Sequence, residues 1–142
     1  MPTLPDKLQR TVDELAGLDR MTRYMVLLDY ADRHGDFPEA AMTEPNRVRG
    51  CTSTVYLTSE LEGGRMRYAG FADAQIVKGL VAMLVGGLSG EPPEAVAAVD
   101  PRFIRDAGLA EALTPTRAGG LANILRRMQA DAEQHLDEQP LD

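Results

Sequence analysis

Apolar residues recur at helical spacing in the first third of the chain, at Leu8, Val12, Leu15 and Leu18 and then at Tyr24, Leu27, Leu28 and Ala31. Thr3-Leu4-Pro5-Asp6 reads as the start of the first helix, with Thr3 as N-cap and proline in the first turn. Gly17 and Asp19 mark a break and a fresh N-cap, and Gly35 stops the second helix. The pair predicts an αα-hairpin. Between Asp36 and Gly50 the periodicity is lost and Pro38 and Pro45 appear, which predicts loop or short extended chain.

The pattern then changes period. Thr52 to Ser59 is rich in β-branched residues and predicts a strand, Glu62-Gly63-Gly64-Arg65 a turn, and Met66 to Phe71 a second strand. Two strands alone are marginal, so a third short strand is expected at Arg47 to Gly50, with Cys51 in a tight connection. Asp73 is placed to cap a helix from Ala74 to about Leu88. Its Ile76, Val77, Leu80, Val81 and Leu84 are apolar nearly all round, the mark of a buried helix. Short helices follow after Pro92-Pro93 and after Asp100-Pro101, the latter ending at Gly108. A last helix starts at Thr114-Pro115 or Thr116, with Leu121, Ile124, Leu125 and Met128 on one face. The expected fold is α+β, a small antiparallel three-stranded sheet packed against several helices, in one domain over residues 1–142.

Composition narrows the function classes. The 142 residues suffice for a packed core without a staple. A single cysteine, Cys51, allows no intramolecular disulfide, and no apolar leader opens the chain, which together point to a reducing cytoplasm. The most apolar stretch, Ile76 to Leu88, is interrupted by Lys78 and is too short to span a bilayer. A net charge of −7, few aromatic residues and no tryptophan disfavour a nucleic-acid surface. Five acids follow Arg127: Asp131, Glu133, Asp137, Glu138 and Asp142. Without them, 17 acids stand against 15 bases, a charge of −2. Residues from about 131 to 142 therefore read as an acidic, partly frayed tail on a nearly neutral body.

Little in the chain suggests cofactor chemistry. One cysteine with His34 and His135 far apart gives no zinc spacing, and each histidine is more simply a helix-terminal residue. The doublets Gly63-Gly64, Gly86-Gly87 and Gly119-Gly120 complete no phosphate or dinucleotide fingerprint and fit turns, caps and close helix contacts. Cys51 has the more telling neighbourhood, Asn46-Arg47-Val48-Arg49-Gly50-Cys51-Thr52-Ser53. Arg47 and Arg49 would favour thiolate, and Gly50 permits a sharp turn that offers the thiol at a loop tip. The competing reading is a small buried hydrophobe, the usual state of a free cysteine.

These residues resemble the N-R-V-x-G-C-x-S signature of the SufE family of sulfur acceptors. Asp73-Ala74-Gln75-Ile76-Val77-Lys78-Gly79-Leu80 is similar to that family's D-A-x-I-V-K-G-L block. Leu113-Thr114-Pro115-Thr116-Arg117-Ala118-Gly119-Gly120-Leu121 is similar to its L-T-P-S-R-x-x-G-L block, with Thr116 in place of Ser. The three blocks lie in family order around the sole cysteine.

The resemblance implies an α+β fold and a role in iron–sulfur cluster assembly. A pyridoxal-phosphate-dependent cysteine desulfurase, SufS-like or CsdA-like, would pass persulfide sulfur to Cys51. The carrier would stimulate that enzyme and deliver the sulfur to a cluster scaffold, holding no metal or cofactor itself. Such an acceptor can be sheltered at its loop tip and exposed when the partner docks. Arg47, Arg49, Gly50, Ser53, Asp73 and Arg117 match the blocks as supporting or docking residues, Arg117 standing near a helix start where the macrodipole disfavours a cation. Rival readings are a Cys-dependent hydrolase or redox sensor, and an interaction module with an inert cysteine. A phosphatase-type loop is disfavoured because Leu57, not arginine, stands six residues after Cys51.

Overall fold

A computed structural model describes residues 4–138 of the chain. Helices α1 (Asp6–Ala16) and α2 (Arg20–Arg33) come first, then a loop with two short 3-10 turns at Glu39–Ala41 and Glu44–Asn46. An antiparallel hairpin follows, β1 (Val55–Glu62) and β2 (Arg65–Ala72), then α3 (Gln75–Leu88). Three short helices, α4 (Pro93–Ala97), α5 (Phe103–Asp106) and α6 (Leu109–Ala112), lead to the long α7 (Pro115–Glu138). The class is α+β, as the pattern of periods predicted.

The hairpin register runs from Val55 opposite Ala72 to Glu62 opposite Arg65. Gly63 and Gly64 have φ of 60° and 79°, the left-handed pair that a tight two-residue hairpin turn needs. Val55, Leu57, Met66, Tyr68 and Ala72 form its buried face, and α3 covers β2. Helix cover substitutes for further strands.

The expected third strand does not form among the described residues. Val48 N–H donates to the Val55 carbonyl at 2.9 Å and Arg47 makes a single bridge to Tyr56. Gly50, at φ 81°, then turns the chain away before a ladder can extend. The first strand also starts later than expected, at Val55. The Asp73 carboxylate explains this, since it accepts from Thr54 N–H at 3.1 Å while Asp73 N–H donates to the Thr54 carbonyl at 3.2 Å. Asp73 thus closes the open end of the hairpin and does not cap α3, whose N-cap position is Ala74 with no side-chain cap.

The αα-hairpin is also corrected: α1 and α2 each pack mainly on α3 rather than on each other. Leu8, Val12 and Leu15 of α1 and Leu27 and Ala31 of α2 are buried in that core. Gly79 lies directly against the Leu27 backbone, where no Cβ fits, and Gly87 lies against Leu8. Arg23 stitches the α1–α2 junction. Although buried, its guanidinium donates to the carbonyls of Leu15 at 2.8 Å, Leu18 at 2.5 Å and Gly108 at 3.1 Å. Asp19 caps α2 as expected, accepting from Thr22 N–H at 2.7 Å. At α1 the N-cap position is Pro5, and Thr3 lies outside the described residues.

Helix α7 buries Leu121, Ile124, Leu125, Met128 and Ala132. Tyr68 Oη donates to the Met128 carbonyl at 2.9 Å and Ser59 Oγ to the Asp131 carboxylate at 2.7 Å, joining the helix to the hairpin. The acidic stretch from residue 131 continues α7 through Glu138, and residues 139–142 lie outside the described residues.

Candidate functional site

Helix α7 begins just after Thr114, whose Oγ1 accepts from Arg117 N–H at 3.3 Å. Beside its buried apolar stripe runs a second one, Gly120, Asn123 and Arg127, at the three- and four-residue steps that align on one helix face. The loop from Pro45 to Cys51 lies along this stripe in the opposite direction. Arg127 donates from Nη2 to the Pro45 carbonyl at 2.7 Å and from Nη1 to the Arg47 carbonyl at 3.1 Å. Asn123 Nδ2 donates to the Gly50 carbonyl at 2.9 Å. Cys51 Sγ points at the Gly120 carbonyl at 3.6 Å.

Gly50 is required by this arrangement. Gly50 has φ 81°, and a Cβ there would run into the Asn123 amide. Gly120 is buried beneath the sulfur, and a Cβ there would reach Sγ at 3.7 Å, an ordinary contact. The thiol is half-buried in a recess of about 10 Å³, lined by Ser53, Val77, Thr116, Arg117 and Leu121 among others. That space is near the lower limit for one water.

Burial pushes the Cys51 thiol above its ordinary pKa. The Gly120 carbonyl acts in the same direction, because it accepts an S–H but repels a thiolate. The seated sulfur is therefore a protonated thiol at neutral pH, with the nucleophilic form suppressed.

Of the residues expected to assist Cys51, the fold brings Ser53 and Arg117 to the same recess. Gly50 shapes the turn beside it. Arg47 meets α7 through its carbonyl, and Arg49 forms an exposed ion pair with Glu44 at 2.9 Å. Asp73 stands at the hairpin end, tied to Thr54. Neither histidine lines the recess, and His34 Nε2 is hydrogen-bonded to the Gly70 carbonyl at 2.7 Å. Asn123 and Arg127 escaped the sequence reading because polar residues on an amphipathic helix look like a solvated face. Their three- and four-residue steps from Gly120 were the available signal. Among the described residues no cluster of His, Cys, Asp or Glu could hold a metal ion, and no helix is long and apolar enough to cross a membrane.

Known proteins share this arrangement of sequence and fold. Residues 9–132 match the family described as SufE, an Fe-S metabolism associated domain. The chain is 42% identical over 131 residues to a SufE-like protein of Synechocystis sp., covering 92% of this chain and 82% of that protein. It is 42% identical over 93 residues to the cysteine desulfuration protein SufE of Plasmodium vivax, covering 63% of this chain and 38% of that longer protein. The solution structure of a hypothetical protein from Thermus thermophilus superposes with a TM-score of 0.83 at 35% identity, covering 95% of this chain and 99% of that one.

Proposed function

The chain belongs to the SufE family of Fe-S metabolism, and from that membership we propose that Cys51 accepts sulfur from a cysteine desulfurase and carries it onward to a cluster-assembly scaffold. The observation that carries this reading is the placement of the sole cysteine. It sits at the tip of a glycine turn, its sulfur tucked against α7 in a recess too small to admit another side chain.

The chemistry is exchange at sulfur. Cys51, deprotonated on leaving the recess, attacks the terminal sulfur of a persulfide on the donor enzyme. A bond forms between Cys51 Sγ and that sulfur as the bond to the donor's own sulfur breaks. The donor departs as thiolate and regains the proton that Cys51 lost, so no outside oxidant or reductant is consumed. Seated, the thiol is protonated and shielded; displaced, it loses the burial and the carbonyl that suppress thiolate. On this reading the protein is a carrier and activator rather than an enzyme in its own right. The pyridoxal phosphate belongs to the partner.

Incubation with a cysteine desulfurase and cysteine should add one sulfur atom to the Cys51 peptide, read by mass spectrometry. Cys51→Ser should take up none and should not stimulate the desulfurase. A serine variant that does both normally overturns the reading.

A further inference from the structure

The α7 stripe that grips the loop opens on one side into a cleft of about 420 Å³, whose lining includes Arg49, Gly50, Asn123, Arg126 and Arg127. Three arginines gather here in a chain whose net charge is −7. Arg127 is committed inward, to two loop carbonyls and to Asp131 at 3.2 Å. The other two are exposed. Among the described residues Arg49 pairs with Glu44, also exposed, and such a pair exchanges readily in water. Arg126 Nη1 donates to Asn123 Oδ1 at 2.7 Å.

That last bond orients the Asn123 amide. With Oδ1 held by Arg126, Nδ2 points at the Gly50 carbonyl, one residue from the acceptor sulfur. Cys51 itself rests on Gly120, one turn earlier on the same helix face. A protein that brings sulfur to Cys51 therefore also covers this cleft. Two exposed guanidiniums there match paired carboxylates, the partners their fork geometry holds best.

We propose that Arg49 and Arg126 seat an acidic surface of the sulfur donor, and that Asn123, losing Arg126 to the donor's carboxylates, lets go of Gly50 and frees the acceptor loop. The proposal rests on the sulfur-acceptor reading for its partner, but the Asn123 latch is a property of the isolated chain.

The test has two arms. In the isolated protein, Cys51 alkylation by iodoacetamide is timed in wild type, Asn123→Ala and Asn123→Asp. The aspartate is isosteric and keeps an acceptor for Arg126; it loses the donor to Gly50 and adds a negative charge, which works against thiolate and so against the expected gain. Both variants should alkylate about fivefold faster, the scale of one lost hydrogen bond, with an unchanged melting temperature. Wild-type rates in both overturn the latch. With a cysteine desulfurase present, Arg49→Glu/Arg126→Glu should need about tenfold more protein for half-maximal stimulation, the gap narrowing as salt rises. An unchanged requirement overturns the docking site. If wild type accepts no sulfur, the acceptor reading and the docking claim fall together, and the alkylation arm still decides the latch.

Discussion

The two long inner helices are used in opposite ways. Helix α3 is apolar nearly all round and meets its neighbours through close backbone approach and buried side chains: Gly79 on Leu27, Gly87 on Leu8, and Val81 beneath Gly70. Helix α7 buries one such stripe, but beside it meets the Cys51 loop through a row of hydrogen bonds, one accepted by the Gly120 carbonyl, one donated by Asn123 and two donated by Arg127. The first seam sheds a large apolar area from water and comes apart only with the whole fold. The second sets buried Val48 among exchangeable polar contacts, each contributing little net free energy. A tightly packed framework on α3 and a loop held largely by polar bonds on α7 therefore lie side by side.

The largest effect should come from filling the α3 seam. Gly79→Ala places a methyl against the Leu27 carbonyl, which belongs to helix backbone and cannot swing aside. The helices must separate, at a cost of about 3 kcal/mol, and thermal unfolding should report it as a drop in melting temperature. Cys51 alkylation in the folded fraction should hardly change. Equal melting temperatures for Gly79→Ala and wild type would mean the seam is not close-packed.

Next comes Arg23, a charged residue inside the framework. Arg23→Met keeps much of the side-chain length but takes the guanidinium from three carbonyls, of which Leu15 and Gly108 keep backbone donors in Leu18 and Ala112 while Leu18 is left bare, costing about 2 kcal/mol. Denaturant unfolding measures it. Arg127→Gln removes two loop bonds and the ion pair with Asp131, yet should cost only about 1 kcal/mol, because the Pro45 carbonyl lies exposed and Asp131 keeps its bond from Ser59. Its main readout should be faster amide exchange over residues 45–51. If Arg127→Gln costs more global stability than Arg23→Met, the division into framework and loop fails.

This division also decides what could be read from the sequence. Apolar periodicity located α1, α2, α3 and α7 and the hairpin, because those elements are held by the residues that create the pattern. The Gly63-Gly64 turn was legible for the same local reason. The partners of α1 and α2 were not: an apolar stripe does not name what covers it, and the close approaches at Gly79 and Gly87 bring both helices onto α3. The third strand failed on one backbone angle at Gly50, and Asp73 was diverted from capping by a strand end 19 residues away. At the site, Cys51 stood out through its neighbours in sequence. Asn123, 73 residues from the carbonyl it holds, shows no local sign of that bond.

The smallest expected effect separates the seams by pH. Burial raises the Cys51 pKa, so the folded state favours the neutral thiol. That preference contributes stability in full below the ordinary thiol value of about 8.5, and it fades as pH rises through the higher folded value. Alkylation by iodoacetamide follows thiolate, so its pH profile in wild type should have a midpoint above the ordinary value. Arg127→Gln, which loosens the loop, should bring that midpoint down, while Gly79→Ala, which loosens the framework, should leave it in place. Raising the pH should itself mildly loosen the loop, since a thiolate facing the Gly120 carbonyl is repelled. A wild-type midpoint at the ordinary value would mean the sulfur spends its time in water, and the recess on α7 would then protect nothing.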